Sequence, residues 1–371
     1  MKQILITGGA GFIGSHLADT LLAEGHRVRA LDNLSPQVHG ERESAPDYLS
    51  DEVELVVGDV RDRAAVDRAL QGVDVVFHLA AAVGVGQSMY RIEHYTDVNN
   101  RGTAVLLEAL AEQRVERLIV ASSMSVYGEG LYRDPQGRLV EGAERTRRQL
   151  EAGDWETRGQ TGDSLTPVPT PEQKRPSLAS VYALSKYDQE RMCLMVGAAY
   201  GIPTTALRFF NVFGTRQALS NPYTGVLAIF ASRLLNGNRP AVFEDGRQRR
   251  DFVSVSDVAR ACCLAMERPA SAGEVLNVGS GRSYTIEEVG RRLARVLERE
   301  ELEPEITGKY RVGDIRHCFA DIGRAREVLG FEPRVALEDG LAELAAWLER
   351  QVATDRVEEA QSELAARGLT V

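Results

Sequence analysis

The sequence has 371 residues, 43% hydrophobic and 26% charged, an ordinary balance for a globular protein with room for one large domain or two modest ones. Its net charge of −10 argues against a nucleic-acid partner, because a phosphate backbone wants a basic face. No apolar run reaches the length of a membrane span, and the first strand begins almost at Met1, which leaves no signal peptide and predicts a cytoplasmic protein.

Lys2–Thr7 form a short apolar run suited to a buried parallel strand. Thr7-Gly8-Gly9-Ala10-Gly11-Phe12-Ile13-Gly14 then turns sharply into a helix over Ser15–Glu24, with Leu17, Leu21 and Leu22 on its apolar face. Gly25 ends that helix. Val28–Leu31 make a second strand with Asp32 at its end. Phosphates need backbone N–H groups at close range, and Gly8, Gly11 and Gly14 clear the approach at a helix N-terminus. A carboxylate at Asp32 can accept both hydroxyls of an adenosine ribose and would repel a 2′-phosphate, so the cofactor is expected to be NAD rather than NADP. The G-x-x-G-x-x-G spacing departs from the usual dehydrogenase turn and resembles that of the short-chain dehydrogenase/reductase superfamily.

Val53–Gly58 predict a third strand, followed by Asp59 and Val60, where Asp59 can accept a hydrogen from the adenine amine, cap the helix over Arg63–Leu70, or do both. Val73–Leu79 predict a fourth strand, and the small Ala80 and Ala81 after Leu79 let a cofactor lie against the backbone. His78 at its end reads as structural. Tyr95–Gln113 read as one long helix with Asn99 near its start, reaching inward. Arg117–Ser122 are a fifth strand. The alternation predicts an α/β fold, a Rossmann-type doubly wound parallel sheet covered on both faces.

Residues 129–178 break the rhythm and read as a long polar insertion, a functional loop or lid that Trp155 and Pro167, Pro169 and Pro171 partly pack. A strong helix over 180–200 and a sixth strand, Thr204–Phe209, follow. Residues 1–210 are thus expected to be the NAD-binding domain. Residues 211–350 are expected to be a smaller substrate-binding lobe, with some segments returning to the sheet, and 351–371 a charged tail. Helices are predicted over Val226–Leu235, Val255–Glu267 and Ile286–Arg299, with strands at Ala241–Phe243 and Val275–Val278. Cys193, Cys262, Cys263 and Cys318 suit no zinc site and read as buried thiols, so no metal is expected.

Tyr182 and Lys186, four apart on the helix after the insertion, share one face. A phenol is a poor base at neutral pH, but a lysine ammonium and an oxidised nicotinamide beside it favour phenolate. Tyr182 can then take a hydroxyl proton as hydride leaves the same carbon, with Lys186 also bonded to the nicotinamide ribose. A serine at the end of the fifth strand, in Ser122-Ser123-Met124-Ser125, can hold the substrate oxygen and relay the proton.

With these residues in view, TGGAGFIGSHL, LDNL, GDVRD, HLAA, SSMSVYG, YALSK, RFFNVFG and EDGRQRRDFVSVSDVA resemble the extended short-chain dehydrogenases that modify nucleotide sugars, the NAD-dependent epimerase/dehydratase family, over nearly the whole chain. The resemblance makes Ser123 the catalytic serine beside Tyr182 and Lys186. It assigns Phe12, Ile13, Asn33, Val60, Asn99 and Phe210 to the cofactor with the residues above. It implies a nucleotide-diphosphate site in which Asn211 binds sugar or phosphate, Arg250 and Arg311 of the Arg311–Asp314 turn pair with the pyrophosphate, Asp314 is a further substrate residue, and Val226 and Phe243 pack near the base. Sugar 4,6-dehydratases carry an Asp-Glu pair where this chain has Met124-Ser125, so an epimerase is favoured. Gln37–Gly40, Gly84–Tyr90 and Arg216–Val226 are similar to those of the dTDP-L-rhamnose 4-epimerase group, which implies inversion at C4 of a dTDP-6-deoxyhexose through a 4-keto intermediate. Members often carry paired cysteines in the insertion, and this chain has none between Trp155 and Thr170. A UDP-hexose or UDP-glucuronate 4-epimerase, a 4-ketoreductase and a non-catalytic NAD sensor are the other readings, though a sensor would have no need of Tyr182 and Lys186. By likeness the chain is expected to form a homodimer through the helices near 97–113 and 180–200.

Overall fold

The computed structural model describes residues 1–41, 44–159, 161–311, 313–351 and 354–370. Position 312 of the expected Arg311–Asp314 turn, position 160 of the insertion and positions 352, 353 and 371 of the expected tail lie outside the described residues.

Seven strands form one parallel sheet: β1 (Gln3–Thr7), β2 (Arg27–Asp32), β3 (Glu54–Val57), β4 (Val75–His78), β5 (Arg117–Ser123), β6 (Thr204–Phe209) and β7 (Val275–Val278). Their order is β7-β6-β5-β4-β1-β2-β3, so the connections wind outward in both directions from the β1/β4 boundary. Ligands of such sheets gather at the carboxyl ends of the strands near that reversal.

Both faces of the sheet are apolar and covered. On one face Ile4, Ile6 and Phe77 pack with Leu17 and Leu21 of α1 (Phe12–Ala23). On the other, Leu5, Val76 and Val120 pack with α2 (Arg63–Leu70), α3 (Gly102–Glu112) and α4 (Val181–Tyr200). Each fully buried leucine or isoleucine contributes about 1.5–3 kcal/mol of transfer free energy. Residues beyond 210 return to this sheet. The helix Val255–Glu267 lies on α1, and β7 pairs in register with β6. A second core gathers Phe213, Leu227, Phe230, Leu293 and Leu341 around the helices Val226–Leu235, Ile286–Val296 and Leu337–Leu348.

The helix expected over Tyr95–Gln113 is interrupted. A short helix ends at Tyr95, Thr96–Arg101 form a π-turn, and α3 resumes at Gly102. The cause is Asn99, whose side chain accepts from Ala82 N at 2.7 Å and donates to Ala82 O at 3.1 Å and Ser185 Oγ at 2.9 Å. The extra residue per turn swings that amide inward. Gly102 then passes so close to Val60 that a Cβ would lie 2.6 Å from its Cγ1.

The insertion is ordered rather than a bare loop. Leu131–Arg133 pair antiparallel with Leu139–Glu141 and Thr166–Val168, and Arg147–Glu151 add a helical turn. Trp155 packs on Tyr310 with ring centroids 6.2 Å apart. Arg316, fully buried, ties it down, with Nη2 to Glu156 at 2.5 Å and Nη1 to Glu244 at 2.9 Å and Asp245 at 2.7 Å. Arg145 bonds Glu244 at 2.7 Å and the Asp314 carbonyl at 2.8 Å.

Candidate active site

One cavity of about 670 Å³ opens at the carboxyl ends of the strands, between the sheet and the second core. The glycine turn forms one end of it. Gly8 sits at φ +71°, and a Cβ on it would come within 3.0 Å of the Ala80 backbone. A Cβ on Gly14 would come within 2.3 Å of the Gly8 carbonyl. The α1 N-cap is Gly11, which has no side chain to occupy the first N–H groups of the helix. That cradle fits a dinucleotide pyrophosphate.

Asp32, 8% exposed, is fixed by bonds from Ala10 N at 3.1 Å and Leu34 N at 3.0 Å, with its carboxylate facing the cavity. Asp59 accepts from Asn33 Nδ2 at 3.0 Å and pairs with Arg61 at 2.7 Å, which holds its carboxyl well below the usual range. The cap of α2 is Asp62, which accepts from Ala64 N, so the capping alternative for Asp59 falls away. Phe12, Ile13, Asn33, Val60, Leu79, Ala80, Ala81 and Phe210 line the same cavity. Asn99 does not. It is wholly buried behind the wall, fixing Ala82 and Ser185 as described. His78 is also buried, bonded to Thr7 at 2.8 Å and Thr103 at 2.9 Å, and burial pushes its pKa down to about 3, in keeping with a structural role. The four cysteines are buried free thiols, and among the described residues no cluster could hold a metal ion.

Ser180 caps α4 by accepting from Ala183 N, so Tyr182 enters on the first turn and Lys186 one turn later. Ser123 and Tyr182 line the cavity together. Burial pushes the Tyr182 phenol up and the Ser123 hydroxyl pulls it down. Lys186 Nζ donates to Gln189 Oε1 at 2.7 Å, and burial lowers its pKa to about 8. The two adjacent serines divide their work. Ser122 Oγ donates to Glu190 at 2.7 Å, within the buried Glu190–Arg208 pair, whereas Ser123 Oγ accepts from Ser125 Oγ at 2.9 Å. Ser122 is thus committed to the buried pair, and Ser123 is left beside the Tyr182 phenol. Sequence reasoning missed Tyr95, whose buried ring meets Tyr182 edge-on at 6.4 Å and whose hydroxyl donates to Gln87 Oε1 at 3.1 Å. Gln87 lay within the quoted Gly84–Tyr90 stretch, but nothing there reveals this partner.

Across the cavity stand Asn211, Val226, Phe243, Arg250, Arg311 and Asp314. Asn211 Nδ2 donates to Asp251 O at 2.9 Å and approaches Met124 Sδ at 3.5 Å. Arg250 spends its fork on carbonyls, those of Arg249 and Arg316 at 3.0 Å and that of Ile315, with Asp314 at 3.8 Å. Arg311 stacks over Phe243 at 4.3 Å, and its buried Nε has no hydrogen-bond partner among the described residues. Of the two arginines, Arg311 is therefore the one with an unanswered donor.

Residues 4–149 and 157–279 match the NAD dependent epimerase/dehydratase family. The chain belongs to that family. It is 36% identical over 356 residues to a dTDP-L-rhamnose 4-epimerase from Burkholderia thailandensis, an alignment covering 95% of this chain and 96% of the relative. Its structure is similar to that of a UDP-glucose 4-epimerase from Thermotoga maritima solved with UDP-glucose (32% identity, TM-score 0.75, 94% of this chain and 99% of that one). It is also similar to the Thermus thermophilus UDP-glucose 4-epimerase in complex with NAD (30% identity, TM-score 0.74, 94% and 100%). The chain is an NAD-dependent nucleotide-sugar epimerase, and its substrates are nucleotide sugars. Among the described residues no helix is long and apolar enough to cross a membrane.

Proposed function

We propose that this epimerase inverts C4 of a dTDP-6-deoxyhexose such as dTDP-L-rhamnose. The observation that carries inversion over elimination is Met124, an apolar thioether in the cavity directly after Ser123, where an acid would be needed to eliminate water. The 36% identity to a dTDP-L-rhamnose 4-epimerase supports the same substrate class. Bound NAD+ would supply the hydride acceptor and donor. Ser123 holds the C4 hydroxyl and passes its proton to Tyr182. Lys186 stabilises the phenolate by its charge, which offsets the rise that burial imposes on Tyr182. Arg311, with its unanswered Nε, holds the diphosphate while the sugar turns, and Asn211 steadies the sugar from the facing wall. The keto sugar then presents its opposite face, and Tyr182 returns the proton. Gly8, Gly11, Gly14, Asp32 and Asp59 are the residues we assign to the dinucleotide.

The exposed apolar side chains Leu184 and Met195, on the helix Val181–Tyr200, support a homodimer through the helices near 97–113 and 180–200. The buried free thiols support a cytoplasmic setting. The test is incubation with dTDP-L-rhamnose, UDP-glucose and UDP-glucuronate, without added cofactor, followed by NMR of the products. The C4 epimer of the dTDP sugar is expected. Turnover of UDP sugars alone would overturn the substrate, and product that forms only in a parallel run with NAD+ added, with NADH appearing in step, would make the enzyme a ketoreductase working in reverse.

A further inference from the structure

The cavity has a wall outside both cores. The helix Val357–Ala366 crosses its mouth, and Val357, Ala360, Gln361, Leu364 and Leu369 face into it. Val357, Ala360 and Leu364 are buried in doing so. The segment is tied at three places. At its start, Asp355 bonds Asn238 at 2.8 Å and Arg233 at 3.3 Å. In the middle, Glu363 accepts from Tyr90 Oη at 2.5 Å and Tyr223 Oη at 2.9 Å, and Arg367 lies 4.4 Å over the Tyr90 ring. At its end, Thr370 bridges to Arg311, the arginine assigned to the diphosphate. Leu364 rests on Gly86, where a Cβ would lie only 3.4 Å from Leu364 Cδ1.

These contacts join loops from both sides of the cleft. Gly86 and Tyr90 follow β4 of the sheet, whereas Tyr223, Arg233 and Arg311 come from beyond residue 210. The face turned inward is apolar apart from Gln361.

We infer that residues 354–370 form part of the sugar-binding site: a mostly apolar wall, centred on Leu364, that closes over the hexose and keeps the keto sugar in place while it turns. This rests on the epimerase function proposed above and adds a substrate preference. An apolar wall leaves a hydroxyl or carboxylate at C6 without a partner and favours a methyl group there. It also explains retention. Once C4 has given its hydride to NAD+ and its hydroxyl proton to Tyr182, a sugar that escapes as the free ketone leaves the enzyme holding NADH.

The test compares the full chain with Leu364→Glu, Glu363→Ala and a chain ending at Gln351. Bound NAD, KM for dTDP-L-rhamnose and UDP-glucose, and absorbance of stranded NADH at about 340 nm are measured for each. All variants should keep NAD, raise KM for the dTDP sugar at least tenfold and accumulate NADH during turnover. Leu364→Glu should also narrow the preference for the 6-deoxy sugar. Unchanged KM and no stranded NADH in the two point variants would overturn the inference, even if the shortened chain failed to fold. Failure of the full chain to epimerise any of these sugars would instead overturn the function it rests on.

Discussion

At the scale of single residues, the proposed chemistry depends on a phenol whose surroundings pull in two directions. Burial raises the Tyr182 pKa and the Ser123 hydroxyl lowers it, so ionisation needs a cation close by. Tyr182→Phe keeps the packing and removes the proton acceptor, and turnover should fall by about 10²–10⁴ with bound NAD and melting temperature unchanged. Full activity in that variant would sink the assignment. Lys186 carries its own signature. Its pKa in the fold is about 8, below the ordinary 10.5, because burial disfavours the ammonium. The unfolded chain therefore binds more protons than the native one between those values, and this lysine's contribution to stability rises with pH across that window. Urea unfolding of the NAD-free protein at pH 8 and pH 10, compared with Lys186→Met, should show wild type gaining on the variant as pH rises; a constant difference would mean that Lys186 is not buried as a cation. The Tyr182/Lys186 pair was legible because helical spacing alone brings it together. Tyr95 and the engaged fork of Arg250 were not, since their partners, Tyr182 and Ile315, lie 87 and 65 positions away.

At the scale of elements, the parallel sheet and its helices were readable from apolar runs and their punctuation, and β6 and the helix over Val255–Glu267 fall where expected. The π-turn was not readable, because an inward amide rather than local propensity creates it. Nor was the insertion. Its strands are three residues long, too short to show a period, and its anchor is remote in sequence. That anchor is Arg316, whose partners Glu129, Glu156, Glu244 and Asp245 come from two separate stretches. Glu244 is only 1% exposed, so removing the guanidinium leaves a buried carboxylate with Arg145 alone. Arg316→Met should cost roughly 3–5 kcal/mol in denaturant unfolding. Arg316→Lys should recover part of that, as a point charge without the fork. A cost below about 1 kcal/mol would mean the cluster is solvated and does not hold the insertion.

At the scale of the molecule, the cavity lies between two bodies of the fold, and a nucleotide sugar would touch both. The glycine turn and α4 belong to the seven-stranded sheet, whereas Phe243 and Arg311 are presented by the part of the chain built around the second core. A ligand that bridges them stabilises the folded state by mass action, by about 2.7 kcal/mol at a hundredfold excess over Kd. For a protein of this size that is a rise of several degrees in melting temperature. With Arg311 and its unanswered Nε on the diphosphate, as proposed above, free dTDP should produce most of the shift given by dTDP-L-rhamnose, and Arg311→Met should abolish it. Arg250→Met should act differently. Its fork closes carbonyls of Arg249, Ile315 and Arg316, so that variant should lower the melting temperature without ligand and leave part of the dTDP shift in place. Thermal melts with dTDP, UDP and AMP at equal concentration read all of this at once. A shift from AMP alone would locate the only binding energy at the dinucleotide end, and equal loss of the dTDP shift in both variants would remove the distinction drawn between the two arginines.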